Sequence, residues 1–184
     1  GSEGMLGLVI EVMVNLIANP EAVAVLMAGF SDCGQAADAV GELIGRGVIP
    51  AGLELMDRLA IQASEDFVHA GYPLDVEALL LCELDGSEDD VQDQINLVER
   101  QFRASGATTV VVARDPIERA RLWQGRKAAF PAVGRIAPDY YCMDGTIPRR
   151  ELSRVLNRIA ELSDKYALRV ANVFHAGDGN LHPN

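Results

Sequence analysis

The sequence predicts an α+β domain in which an antiparallel sheet carries helices packed on one face. Segments rich in aliphatic and β-branched residues alternate with segments of helical period. The helical segments have clear polar faces, and the strands look too few to be covered on both sides. That disfavours the competing arrangement, a parallel doubly wound sheet. The 184 residues suffice for one domain with a real core. A composition of 49% hydrophobic and 23% charged residues is that of an ordinary globular chain.

The elements follow in order. LGLVIEVMVNLI (6–17) reads as an extended stretch, ended by Asn19-Pro20. AVAVLMAGF (22–30) is a short apolar strand. CGQAADAVGELIGRG (33–47) has helical spacing at Ala36, Val40, Leu43 and Ile44 and a closing glycine. AGLELMD is a strand, and RLAIQASEDFVHAG a helix with a glycine stop. EALLLCELDG is a strand, followed by a helix in SEDDVQDQINLVERQFRASG, where Ser87 suits the N-cap and acids fill the first turn. TTVVVAR is a strand. DPIERARLWQGRKAAF opens with Asp115 at the N-cap and Pro116 at N1, a strong helix start. PDYYCMDGTIP is extended, IPRRELSRVLNRIAELSDKYA helical, and LRVANVFHAGDGNLHP a strand with a turn.

A formal charge of −11 argues against a nucleic-acid partner, because phosphate binding needs clustered Lys and Arg. No apolar run approaches a membrane span, and the opening apolar stretch carries Glu11 and lacks the basic flank of a signal peptide. Cys33, Cys82 and Cys142 make no CxxC pair and suggest buried, inert thiols in a reducing, cytoplasmic setting.

The chemistry concentrates in HAGDGNLHPN. In LRVANVFHAGDGNLHP, Ala171, Val173 and His175 share one strand face. If Gly177 to Asn180 form the reversal, Ala176 pairs with Leu181 and His175 lies directly across from His182 on the same face. Two imidazoles so placed can reach one metal ion at about 2.0–2.1 Å, although catalytic zinc usually takes three protein ligands. The alternative is a hairpin whose histidines are half-buried and hydrogen-bonded, with Asp178 a turn residue. Between Arg114 and Arg150 lie eight of the sixteen basic residues and only four acids, a local positive field able to hold a small anion. For Arg119 and Arg121, pairing along the helix surface is the better reading. Arg126 follows Trp123 by three positions, and an arginine beside an aromatic wall suits capture of a carboxylate.

HAGDGNLHPN, preceded by LWQGRKAAFPAVGRIAPDYYCMDGTIPRR, resembles the C-terminal domain of FAD-linked 2-hydroxyacid oxidases. That family includes the flavin-binding subunit of bacterial glycolate oxidase and D-lactate dehydrogenases. GSEGMLGLVIEV, LELMD, SEDFVHAGYP and LLLCELDG match it in order. The resemblance implies a ferredoxin-like cap domain of a vanillyl-alcohol-oxidase-type flavoprotein, with residues 1–19 a remnant of the FAD-binding domain and 20–184 the substrate domain, truncated at its C-terminus. It implies that Gly1, Ser2, Glu3 and Gly4 approach FAD through the backbone. His175 and His182 would ligate a divalent metal such as Zn, Mn or Fe, Arg126 would meet the substrate carboxylate, and Asn184 would line the same pocket. The family's later GEHG-type motif, which brings a third ligand and the general base, lies outside this sequence. No catalytic residue is therefore expected within it, and the piece alone is expected to be inactive, without bound FAD.

Cys142 or Met143 stands where the 2-hydroxyglutarate enzymes carry a lysine, which favours a smaller acid such as glycolate or D-lactate. The implied partners are that 2-hydroxy acid and either other subunits of an oxidase complex or a membrane electron acceptor, the latter placing the protein at the periphery of the inner membrane. The competing reading is a non-catalytic α+β module serving as a subunit interface or small-anion sensor.

Overall fold

A computed structural model describes residues 4–184. Its centre is a five-stranded antiparallel sheet in the order β4-β1-β3-β2-β6. The strands are β1 (Ala22–Phe30), β2 (Gly52–Asp57), β3 (Ala78–Gly86), β4 (Thr109–Val112) and β6 (Val173–Phe174). The first four, with α1 (Cys33–Gly45) and α3 (Glu88–Ala104), reproduce the βαββαβ pattern of ferredoxin-like folds. A further helix, α2 (Arg58–Val68), lies in the connection between β2 and β3. A small second sheet pairs β5 (Gly145–Thr146) with β7 (Asn180–Leu181).

The antiparallel sheet is as the sequence predicts, but its helices cover both faces. On one face, α1, α3 and α6 (Leu152–Tyr166) pack over Leu26, Phe30, Leu55, Leu80 and Leu84. On the other, α2, α4 (Pro116–Lys127) and α5 (Ala129–Val133) pack over Val25, Met27, Met56, Leu79 and Leu81. The reason lies in the central strands. Every residue of β1 from Val25 to Phe30 and of β3 from Ala78 to Cys82 is buried, so neither strand has a face suited to water.

The helix ends follow local chemistry. Asp32, Asp57, Ser87 and Asp115 each accept a hydrogen bond from a first-turn backbone N–H. Helix α2 ends on His69, itself in the left-handed region, rather than on the expected glycine. Residues 7–20 form no helix or strand, and the apolar side chains of Met5 to Ile17 are exposed. Burial pushes the Cys33 and Cys82 thiols up to about 12, in keeping with inert groups, whereas Cys142 is exposed rather than buried.

Asp57 ties β2 to the start of the terminal hairpin, accepting hydrogen bonds from Ala60 N–H and from both the backbone and side chain of Asn172. Burial pushes its carboxyl up to about 6 against the pull of those bonds. An acid whose pKa is higher folded than unfolded adds stability below its unfolded value, here near 3.8, and that contribution is lost as pH rises through about 6. Asp57→Asn should therefore flatten this part of the stability profile, measured as the difference between variant and wild-type unfolding curves from pH 4 to 7. Phe102, fully buried edge-on against Phe30, should cost about 3–5 kcal/mol as Phe102→Ala, with a lower urea midpoint at unchanged slope.

Candidate functional site

The terminal hairpin turns one step earlier than the spacing suggested. Residues 176–179 form the turn, His175 bridges to Asn180, and Asn172 bridges to Pro183. His182 therefore lies across from Val173, not from His175, as the hydrogen bond from Val173 N–H to His182 C=O shows. Gly179 sets this register: its φ of +73° closes the turn, and a Cβ there would collide with the carbonyl of Ile147. The turn is also tied to the sheet, since Gly177 N–H donates to Leu53 C=O at 2.9 Å. Because the shift amounts to two residues in pairing, the faces are preserved. His175 and His182 become diagonal neighbours on one face, with ring centroids 5.2 Å apart and planes at 87°.

Each histidine faces a carboxylate. His175 Nδ1 lies 2.9 Å from Glu54 Oε1, and His182 Nδ1 lies 3.5 Å from Asp144 Oδ1. The His182 ring also meets Phe130 edge-on at 5.8 Å. Partial burial depresses the His182 pKa, reinforced by His175 and Arg126 and opposed by Asp144 and Glu54. A neutral imidazole, the form that ligates metals, is thereby favoured at neutral pH.

Arg126 comes to the same point from α4. It is only 5% exposed, and its Nε donates to Glu54 Oε2 at 2.9 Å. Nη2 lies 2.7 Å from the same oxygen but makes no aligned hydrogen bond, leaving a buried donor unsatisfied. Helix α4 is held against the sheet by close packing. The Tyr72 hydroxyl donates to Leu122 C=O, and its ring sits where a Cβ on Gly125 would be, 2.5 Å away. Trp123 donates to Glu83 at 2.6 Å and lies against Gly52, two residues along β2 from Glu54. Of the other predicted basic residues, only Arg149 lies near, lining a small pocket with Glu54 and His175. Arg114 and Arg121 pair with Glu118, Arg119 donates to Val23 C=O, and Arg149 donates to Gly177 C=O.

Arg126, His175 and His182 are thus brought together. Asn184 shares the hairpin face with His182, but it is tied by backbone bonds to Ala171 and lines a separate cavity of about 460 Å³ walled by Tyr140, Tyr141 and Met143. Gly1, Ser2 and Glu3 lie outside the described residues. Gly4 is exposed, with φ +72° and open space where a Cβ would be. Sequence reasoning missed Glu54 and Asp144. The signal for Glu54 was a carboxylate between the apolar residues of LELM, in the middle of β2.

Over residues 19–184 the chain matches the family described as FAD linked oxidases, C-terminal domain. The chain belongs to that family. It is 61% identical over 183 residues to the glycolate oxidase subunit GlcD of Escherichia coli (strain K12), covering 100% of this chain and 37% of that protein. To the probable mitochondrial D-lactate dehydrogenase of Danio rerio it is 28% identical, covering 99% of this chain and 37% of the relative. The chain therefore spans well under half the length of these FAD-linked oxidase relatives. In fold it is similar to 4-ethylphenol oxidase from Gulosibacter chungangensis, with a TM-score of 0.65 at 12% identity over 91% of this chain and 39% of that one. This bears out the antiparallel α+β fold that the sequence predicts.

The packing of α4 yields a direct test. Gly125→Ala should force Tyr72 off its seat and cost about 1–3 kcal/mol of stability in chemical denaturation. A variant as stable as wild type would mean that α4 is not held by this contact.

Proposed function

We propose that the intact protein is an FAD-dependent oxidase or dehydrogenase that converts a small 2-hydroxy acid, glycolate or D-lactate, to the 2-oxo acid. In this reading the chain supplies the substrate-side wall, residues 1–19 belong to the FAD-binding domain, and electrons pass on to a partner subunit or a membrane acceptor. One observation carries it: two imidazoles 5.2 Å apart, each facing a carboxylate, stand beside a buried arginine with an unsatisfied donor. The names of the relatives, glycolate oxidase subunit and probable D-lactate dehydrogenase, support the same class of substrate. Among the described residues no helix is long and apolar enough to cross a membrane.

The donor set fits a divalent metal in part. With Nδ1 of each ring turned to a carboxylate, Nε2 of His175 and of His182 is left for ligation. Among the described residues no group of three His, Cys, Asp or Glu could hold an ion, so these two would supply part of a ligand set. For FAD, the described residues contribute only Gly4, whose open surroundings allow close approach of the backbone. When bound, a flavin supplies the two-electron acceptor, and a divalent metal supplies the charge that lowers the pKa of a hydroxyl. Arg126 binds the carboxylate of the acid through Nη2, which its pairing with Glu54 leaves unsatisfied. The depressed pKa of His182 keeps its ring neutral and its lone pair available.

Flavin reduction in the intact protein should be driven by glycolate or D-lactate and not by acids lacking the 2-hydroxyl. Arg126→Lys keeps the charge but loses the planar fork, and should lower kcat/KM by about 10- to 100-fold, equivalent to about 1.5–3 kcal/mol. His182→Ala should deplete bound metal measured by elemental analysis. A flavin that no 2-hydroxy acid reduces would overturn the proposal.

A further inference from the structure

We propose that Glu54 is a positioning residue of this site, fixing the tautomer of His175 while it holds the guanidinium of Arg126. The contact is built by the backbone. Strand β2 pairs Leu55 with Phe174 and Met56 with Val173, and the same register carried one residue further sets Glu54 opposite His175. Both carboxylate oxygens are engaged, Oε1 with His175 Nδ1 at 2.9 Å and Oε2 with Arg126 Nε at 2.9 Å. The carboxylate side chain is 10% exposed, so water does not compete freely for either oxygen.

The chemistry of the three groups dictates the rest. Paired with an arginine, Glu54 is an acceptor only, so the ring nitrogen facing it must carry the proton. A neutral His175 then has its lone pair on Nε2 and none on Nδ1. Arg126 can only donate, so it cannot relieve Glu54 of this role, and both partners depend on one carboxylate. A salt bridge serving merely to dock α4 would need Arg126 and Glu54 but would leave the protonation pattern of His175 unconstrained.

The test uses the intact protein labelled with 15N-histidine and kept free of metal. The Nδ1 and Nε2 shifts of wild type should report the Nδ1–H tautomer of His175. In Glu54→Gln the amide oxygen turns to Arg126, because only an acceptor suits the guanidinium, and the amide NH2 is left facing Nδ1. The tautomer should therefore invert to Nε2–H. Glu54→Asp, which keeps an acceptor-only group, should restore the wild-type pattern at least in part. The metal arm rests on the proposed function: Mn2+ affinity should fall about 10- to 100-fold in Glu54→Gln.

An Nε2–H tautomer in wild type overturns the inference without any variant, and so does a folded Glu54→Gln protein with unchanged shifts. A wild type that takes up no Mn2+, together with an inverted tautomer in Glu54→Gln, sinks the metal reading and upholds Glu54. Tight Mn2+ binding with no effect of Glu54→Gln on tautomer or affinity does the reverse.

Discussion

A charged carboxylate inside an apolar strand is costly unless both of its oxygens find partners. Glu54 meets that condition by drawing in Arg126 from α4 and His175 from the terminal hairpin, one from the helix over its face and one from the neighbouring strand. The rest of the site depends on this arrangement. Removing Arg126 would leave a nearly buried charge uncompensated, a loss of about 3–5 kcal/mol for a broken buried pair. The elements that carry Arg126 and His175 are thereby coupled to each other through one strand.

The scaffold makes that coupling possible. Because β1 and β3 are buried on both faces, the sheet sits inside the molecule and β2 lies next to its edge, with only the short β6 beyond it. A short β6 can bring a hairpin to Glu54 without covering it with further strand. Behind it, Asp57 anchors Asn172 and Gly177 hydrogen-bonds to Leu53, so the hairpin is held to β2 at both ends. Helix α4 is seated just as firmly, with Tyr72 filling the notch at Gly125. The result is a rigid first layer in which three side chains can be oriented without help from flexible loops.

Much of this was legible in the chain of residues. The alternating strands and helices, the Asp and Ser caps, and the placement of both histidines on one face followed from period and local chemistry. Periodicity could not tell how many faces of the sheet were covered. Runs such as VLMAGF and ALLLC have no alternation, which was itself the sign of two-sided burial.

The sequence by itself determined the parity of the hairpin and hence the shared face of His175 and His182, because side chains alternate with period two whatever the exact turn. Only the tertiary structure decided the register, through the close approach of Gly179 to Ile147. It also separated Asn184 into another cavity and gave Arg126 its partner. Glu54 and Arg126 stand 72 residues apart, and Glu54 and His175 stand 121 apart. Local spacing carries no information about contacts at that range; they exist because strand order sets β6 beside β2 and a helix returns across the same face.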